Sequence, residues 1–412
     1  MGLFDRFLGK KPANPRALFL REVLAVARAI PDLKSVTPLS DVFGLSVDAG
    51  GGERRVFLDN LFAETREVPP EQRPDSIRHF LMQVAVRPDQ NLSWDEVCPL
   101  LRPVIRAPML VWPPGDDPTL EPFCREILPC LREHLVLDHE HTMAFVLQFD
   151  AKRWGQPDHE LYQVAYANME EEAASGIELF DAEPSPIWHV ATGDGYESSR
   201  LLLPGFLASF VDRVEGRPIA IVPHRSTLFI AGDANPRTVV RLCETARREY
   251  AASPRSVSSA VYAVDHRGAL VPYVRTADDE ATERVRDAHL EFVGGEYSAQ
   301  KQLLDKHYAK NEIDIFVASF SAVKTKSRGW RSYCTWAYGV LGLLPKTDCV
   351  AIALDGRDKA QSAFVPWDEV VRIAGDQLLP EPGVFPPRWR TAQEPLTDAK
   401  LAELQALKVE LD

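Results

Sequence analysis

Between residues 17 and 30 the apolar positions Leu20, Val23, Leu24, Ala27 and Ile30 recur at helical spacing, which predicts an amphipathic helix that Pro31 ends. The pattern then changes to short runs. Residues 43–47 and 55–58 flank Gly50, Gly51 and Gly52, the punctuation of a β-hairpin, and helical spacing returns over 74–86 and 94–101. Pro113, Pro114, Pro118 and Pro122 let neither helix nor sheet run through 113–122, so a sub-boundary is expected there.

A second block repeats the alternation of elements. Strands are expected over 142–149, 187–191, 219–222, 227–231, 257–264 and 269–274, and helices over 159–173, 197–211 and 236–250. Beyond Arg275 the chain turns charged and helical over 278–308, with Gly294 and Gly295 expected to break the helix, and strands return over 313–354. A proline-rich stretch at 380–387 precedes a last helix whose Leu401, Leu404, Leu407 and Leu411 form a narrow seam. The fold class this predicts is α/β or α+β, with a mixed, mostly antiparallel sheet and flanking helices over 13–275. A short N-terminal segment at 1–12, a smaller appended α+β module at 276–395 and a C-terminal helix at 396–412 complete the expected organisation.

With 412 residues, 45% of them hydrophobic and 26% charged, the chain can bury one large or two medium cores, which excludes disorder of the whole. A formal charge of −13 argues against general nucleic-acid binding, because neutralising phosphates needs a basic face. The six cysteines include no C-x-x-C pair and follow no secretory signal, which points to free thiols and a cytoplasmic location. No apolar run approaches the length of a bilayer span. Leu3, Phe4, Phe7 and Leu8 share a helical face beside Arg6, Lys10 and Lys11, the pattern of a membrane-surface helix, but residues 1–11 are short for an anchor.

Some runs are less generic. Residues 193–200 read G-D-G-Y-E-S-S-R, an apolar stretch follows, and residues 217–224 read R-P-I-A-I-V-P-H before a polar turn. This succession resembles the YtpQ-like family of bacteria, a family without an assigned activity, whose runs are close to D-G-Y-x-A-S-R and V-P-H/S-x-D. Pro103, Val104, Ile105 and Arg106 look like that family's P-V-I-R, and residues 161–169 look like its helix ending in A-x-x-N-L, with Met169 in place of leucine. The likeness covers roughly 13–275 and departs at Ser226, where the family has aspartate. It implies a fold and a bacterial origin, and it supplies no function.

Three turns could carry chemistry. Gly193 and Gly195 form a Gly-x-Gly turn that can offer backbone N–H groups to an anion, with Ser198, Ser199 and Arg200 as further donors, although Asp194 would repel one. The turn of Pro223, His224, Arg225 and Ser226 can aim His224 as a general base and Arg225 into a cleft, with Ser198 or Ser199 as the partner nucleophile. His139 and His141, near His134, Asp138 and Glu140, hold metal-ligand chemistry at a poor spacing, and solvated turn residues are the simpler reading.

In the appended module Lys324, Lys326, Arg328 and Arg331 interleave with Trp330, Tyr333, Trp336 and Tyr338, a surface suited to an acidic partner or to guarding a sheet edge. No complete catalytic set and no cofactor motif is present. The preferred expectation is therefore a non-catalytic, protein-binding adaptor or regulatory protein. A hydrolase or small-anion-binding enzyme built on residues 193–200 and 223–226 is the alternative, and metal binding is the second alternative.

Overall fold

The computed structural model describes residues 14–39, 43–48, 53–66, 68–85, 92–107, 121–139, 143–171, 173–325, 329–337, 339–352, 363–394 and 396–410. The N-terminal amphipathic segment, most of 113–122, His141, Lys326, Arg328, Tyr338 and Leu411 lie outside them. By compactness the chain divides into residues 1–100 with 137–144, and residues 101–136 with 145–412. This division follows packing, whereas the boundaries drawn at 275 and 395 follow composition.

In the first unit, helix α1 (Pro15–Arg28) starts where the Asn14 side chain accepts from the Arg16 N–H at 3.1 Å and Pro15 supplies a preset first turn. An antiparallel sheet of β1 (Ser35–Pro38), β2 (Gly44–Asp48) and β3 (Glu53–Phe57) follows, then α2 (Asp59–Thr65), α3 (Arg73–Ala85) and the short α4 (Trp94–Val97). Phe19, Val23 and Ala27 of α1 bury against Leu45, Val47, Leu61, Ile77 and Leu81, which is the stripe that the helical spacing marked.

The second unit begins with β4 (Leu101–Arg106), β5 (Cys124–Leu128) and β6 (Leu131–Asp138), in the order β4-β6-β5. The strand expected over 142–149 is only the short β7 (Met143–Phe145), because a helix, α5 (Gln148–Trp154), begins almost at once and leaves Phe149 exposed. Helix α6 (Asp158–Glu170) leads into β8 (Ile177–Asp181) and β9 (Ile187–Val190). With β10 (Pro218–Ile221), β11 (Leu228–Gly232), β12 (Val261–Val264) and β13 (Leu270–Pro272) these make a six-stranded antiparallel sheet in the order β13-β12-β10-β11-β9-β8. Helix α7 (Pro236–Ala252) covers one face through Val239, Leu242, Cys243 and Ala246, against Ile219 and Ile221. Alternate residues Ala220 and Val222 enter a second core on the other face, so β10 is buried on both sides and reads as a continuous apolar run.

The helix expected over 197–211 is two 3₁₀ turns, Ser198–Leu202 and Leu207–Phe210. Pro204 cannot donate into a continuing helix, and Gly205 sits at φ +77°, in the left-handed region, so the chain turns between them.

Residues 278–308 do not break at the glycine pair either. Helix α8 runs unbroken from Glu280 to Lys310, 31 residues, with Asp279 capping its start. Gly294 is explained by packing, since a Cβ there would meet the Phe320 ring at 3.3 Å. Along its length α8 gives Ala281 and Val285 to the α7 core, Phe292, Val293 and Tyr297 to the opposite core, and Leu304 to a cluster with Val317 and Leu343.

The remaining strands are β14 (Phe316–Val317), β15 (Ser321–Thr325), β16 (Gly329–Trp336), β17 (Gly342–Pro345), β18 (Cys349–Ile352), β19 (Ala363–Pro366), β20 (Leu378–Pro380) and β21 (Arg388–Thr391). They form two four-stranded sheets, β14-β17-β21-β20 and β15-β16-β18-β19, each with one parallel pairing. Helices α9 (Trp367–Ala374) and α10 (Asp398–Ala406) pack on them, with Leu404 buried and Leu401 and Leu407 partly buried. The fold is α+β with mostly antiparallel sheets. Among the described residues no helix is long and apolar enough to cross a membrane.

Arg388 is wholly enclosed, and its bonds cross this region. It donates to Gln300 Oε1 at 2.6 Å and to the carbonyls of Ala318 at 2.8 Å, Leu343 at 3.1 Å and Tyr297 at 3.2 Å. Replacing it strands acceptors that no water can reach. Arg388→Met is expected to lower stability by about 3–5 kcal/mol in urea denaturation, as for breaking a buried charged network. Arg388→Lys is expected to recover little of that, because a point charge cannot reach acceptors spread around a planar fork.

Candidate functional site

The 193–200 loop consumes its own donors. Gly193 N–H donates to Glu197 Oε1 at 2.7 Å and Tyr196 N–H to Asp194 Oδ1 at 2.8 Å. Arg200, 1% exposed, holds Asp194 through Nη2 at 2.7 Å and Nη1 at 3.3 Å. Burial pushes the Asp194 carboxyl up, but its bonds from Arg200 and the Tyr196 N–H outweigh that and hold it below the usual range. The Gly193 and Gly195 turn, a candidate anion cradle in the sequence, is thus occupied from within by carboxylates, and Arg200 closes the loop.

The same loop meets the second candidate turn. Ser198 N–H donates to the Arg225 carbonyl at 3.3 Å, and Arg225 N–H donates to the Arg255 carbonyl at 3.4 Å. His224 pairs with Ser256 as an antiparallel bridge. The serine–histidine contact that the hydrolase alternative requires is not made, however. His224 Nε2 is bonded to Thr227 Oγ1 at 2.8 Å, and the buried hydroxyls of Ser198 and Ser199 have no hydrogen-bond partner among the described residues. Burial, opposed by Glu249 and Glu197, holds His224 below its ordinary value, so the ring is neutral near pH 7.

What the two turns do assemble is a group of arginines. Strand β4 packs against the 198–202 turn and ends at Arg106, whose charge lies in reach of Arg225 and Arg255. Burial first, and then these two like charges, pull Arg106 down to about 10, with the nearby Tyr196 hydroxyl the one opposing group. Its Nη1 donates to the Ile105 carbonyl at 2.8 Å, a neutral acceptor. His134, 2% exposed on the neighbouring strand β6, is pushed down to about 3 by burial and by Arg106 and Arg132, so it adds no charge of its own. The arrangement concentrates positive charge where three chain segments meet, which is chemistry for holding an anion.

Arg106 and Arg225 stood in runs singled out in the sequence, but neither run pointed to the other, and Arg255 carried no signal at all. His139 is described with its Nε2 buried and unbonded, and among the described residues no group of three or more ligating side chains could hold a metal. In the C-terminal sheets Lys324 lies on the edge strand β15 and pairs with Glu283 of α8 at 2.9 Å, so its charge is partly spent, while Trp330 and Arg331 on β16 are half-buried.

No protein-family model matches the chain, and neither a curated protein nor a solved structure matches it.

A separate buried acid lies in the middle of α8. Glu296 is 7% exposed, its Oε2 has no partner among the described residues, and burial pushes it up to about 7. It faces the Cys130 thiol and the Tyr250 and Tyr262 hydroxyls, each itself raised first by burial. A carboxyl raised in the fold favours the protonated state. Its contribution is full below the ordinary glutamate range and is lost as pH rises through 7. Between about pH 5 and pH 8 the native protein is expected to lose about 3 kcal/mol from this group. Glu296→Gln is expected to match it near pH 5 and exceed it near pH 8, as read from urea midpoints at both values.

Proposed function

We propose that this chain is a binding protein for a small anion, held by Arg106, Arg225 and Arg255. The observation that carries the reading is Arg106, a half-buried cation at the end of β4, which packs against the 198–202 turn with the like charges of Arg225 and Arg255 in reach. Charge-assisted bonds from arginine forks are among the strongest recognition contacts available to an anion. Arg106 falls in the run that looks like the YtpQ-like family's P-V-I-R, and a cytoplasmic bacterial protein remains part of the proposal.

The reading is of binding rather than hydrolysis. Among the described residues, His224 is bonded to Thr227 and not to Ser198 or Ser199, the partners that the hydrolase alternative named. A polyanion such as pyrophosphate or citrate, at about 100 times its dissociation constant, is expected to add about 2.7 kcal/mol to stability over sodium chloride of equal ionic strength. Arg106→Met is expected to abolish that gain in thermal melts. A wild-type protein indifferent to every anion tested would overturn the proposal.

A protein partner is the second reading, favoured by β15. This edge strand exposes Ala322 and Val323 beside Lys324, and an open edge can accept an added strand. Affinity capture from the host that depends on Val323 (native chain against Val323→Lys) would support it. Capture indifferent to that substitution would sink it.

A further inference from the structure

We propose that the six-stranded sheet takes a further strand at β8, supplied as an extended, basic segment of another protein. The two edges of this sheet differ. β13 packs against β5, whereas among the described residues β8 pairs with β9 alone, so its outward N–H and C=O groups stay open.

The side chains of β8 carry the argument further. Leu179 sits opposite Trp188 and is 50% exposed, and Phe180 is 49% exposed. Trp188 packs against the core that Ala220 and Val222 enter, and the next residue, His189, lies on the other face, stacked on Phe229 at 4.6 Å. Phe180 meets the Phe229 ring at 4.9 Å and so belongs to that second face, beside the core under α7. Both cores therefore run out to β8, and each ends there in an apolar side chain with half its surface in water. An added strand would cover both, because its own side chains alternate between the faces. The register shift after Leu179 fits this geometry, since the extra residue of a bulge re-aims a side chain, here that of Phe180. It also keeps the regular run short, which guards the edge against long, indiscriminate pairing.

Charge selects the occupant. Residues 177–183 carry Glu178, Asp181 and Glu183 and no base. Asp181 is paired with Arg241, which also donates to the Glu183 carbonyl, and Arg213 lies over the Trp188 ring at 5.7 Å. Glu178 and Glu183 stay exposed and in no ion pair among the described residues. A second copy would bring the same acids against them, on a chain of net charge −13, so self-pairing is disfavoured. Lysine or arginine on an incoming strand meets a carboxylate instead. The edge strand β15 is unlike β8, for it carries Lys324 and no acid.

The test is fluorescence anisotropy of a labelled heptapeptide that alternates lysine with valine, added to the full chain. It is expected to bind, to weaken as salt is added, and to outcompete a glutamate–valine peptide of the same length, which is expected not to bind. The lysine–valine peptide with N-methyl groups on all its inner residues lacks the main-chain donors of an added strand and is expected to bind about tenfold more weakly. Glu178→Lys and Leu179→Ser, both at exposed positions, are each expected to weaken the unmethylated peptide about tenfold, with Val323→Lys on β15 leaving it unchanged. Equal binding of the methylated peptide would overturn strand addition, and equal binding of the glutamate–valine peptide would overturn the basic occupant. Binding indifferent to Glu178→Lys and Leu179→Ser, or absent altogether, would remove β8 as the docking edge. A dimer of the chain alone in sedimentation equilibrium, dissociated by Leu179→Ser, would replace the foreign strand with a second copy and overturn the proposal.

Discussion

A guanidinium held by neutral oxygens sits at the centre of the C-terminal sheets. Arg388 is held by main-chain carbonyls from the end of β14, from β17 and from α8, together with Gln300, and Gln300 in turn donates to the Pro386 carbonyl at 2.7 Å. Burial lowers Arg388 to about 10, still far above neutrality, so the charge persists and every acceptor must stay in place. The constraint propagates along α8. Because Tyr297 and Gln300 are fixed by Arg388 and its strand, the earlier turns of the helix must lie where Phe292 and Val293 fill the core under the six-stranded sheet. The unbroken helix is therefore a shared wall for both sheet systems, and the glycine pair within it yields to that requirement.

Arg388 and Arg200, both buried, and the half-buried Arg106 meet the cost of their charge in three ways. Arg388 spreads its charge over neutral oxygens, and Arg200 takes a bidentate carboxylate from six residues away. Arg106 is bonded to one backbone oxygen and faces like charges. The first two are complete within the chain and read as structure. Among the described residues the third has like charges in reach, which is why the functional reading follows Arg106 and not the more conspicuous glycine turn.

Much of the fold was legible because it rests on local pattern. The stripe of α1, the hairpin flanking Gly50, Gly51 and Gly52, and the apolar runs of β10 and β11 all record burial directly in residue spacing. The failures share another cause, which is that tertiary packing overrode a local signal. Gly294 reads as a helix breaker until Phe320 is seen against it, and residues 197–211 read as a helix until Pro204 and Gly205 turn the chain. The site was less legible still. Arg106, Arg225 and Arg255 are separated by more than a hundred and by some thirty residues, and only the sheet order and the 198–202 turn bring them together.

That separation also explains why the Gly-x-Gly turn misleads. A loop with free N–H groups attracts an anion, but the same physics attracts the chain's own carboxylates first, since they are tethered nearby at high effective concentration. Glu197 and Asp194 do this here, and in doing so they stiffen the loop that supplies Ser198 to the Arg225 turn. The internal anions and the arginine cluster are thus parts of one arrangement. Carboxylates neutralise the donors that belong to the loop, and the scaffold they fix carries the turn of Arg225, whose charge lies in reach of Arg106.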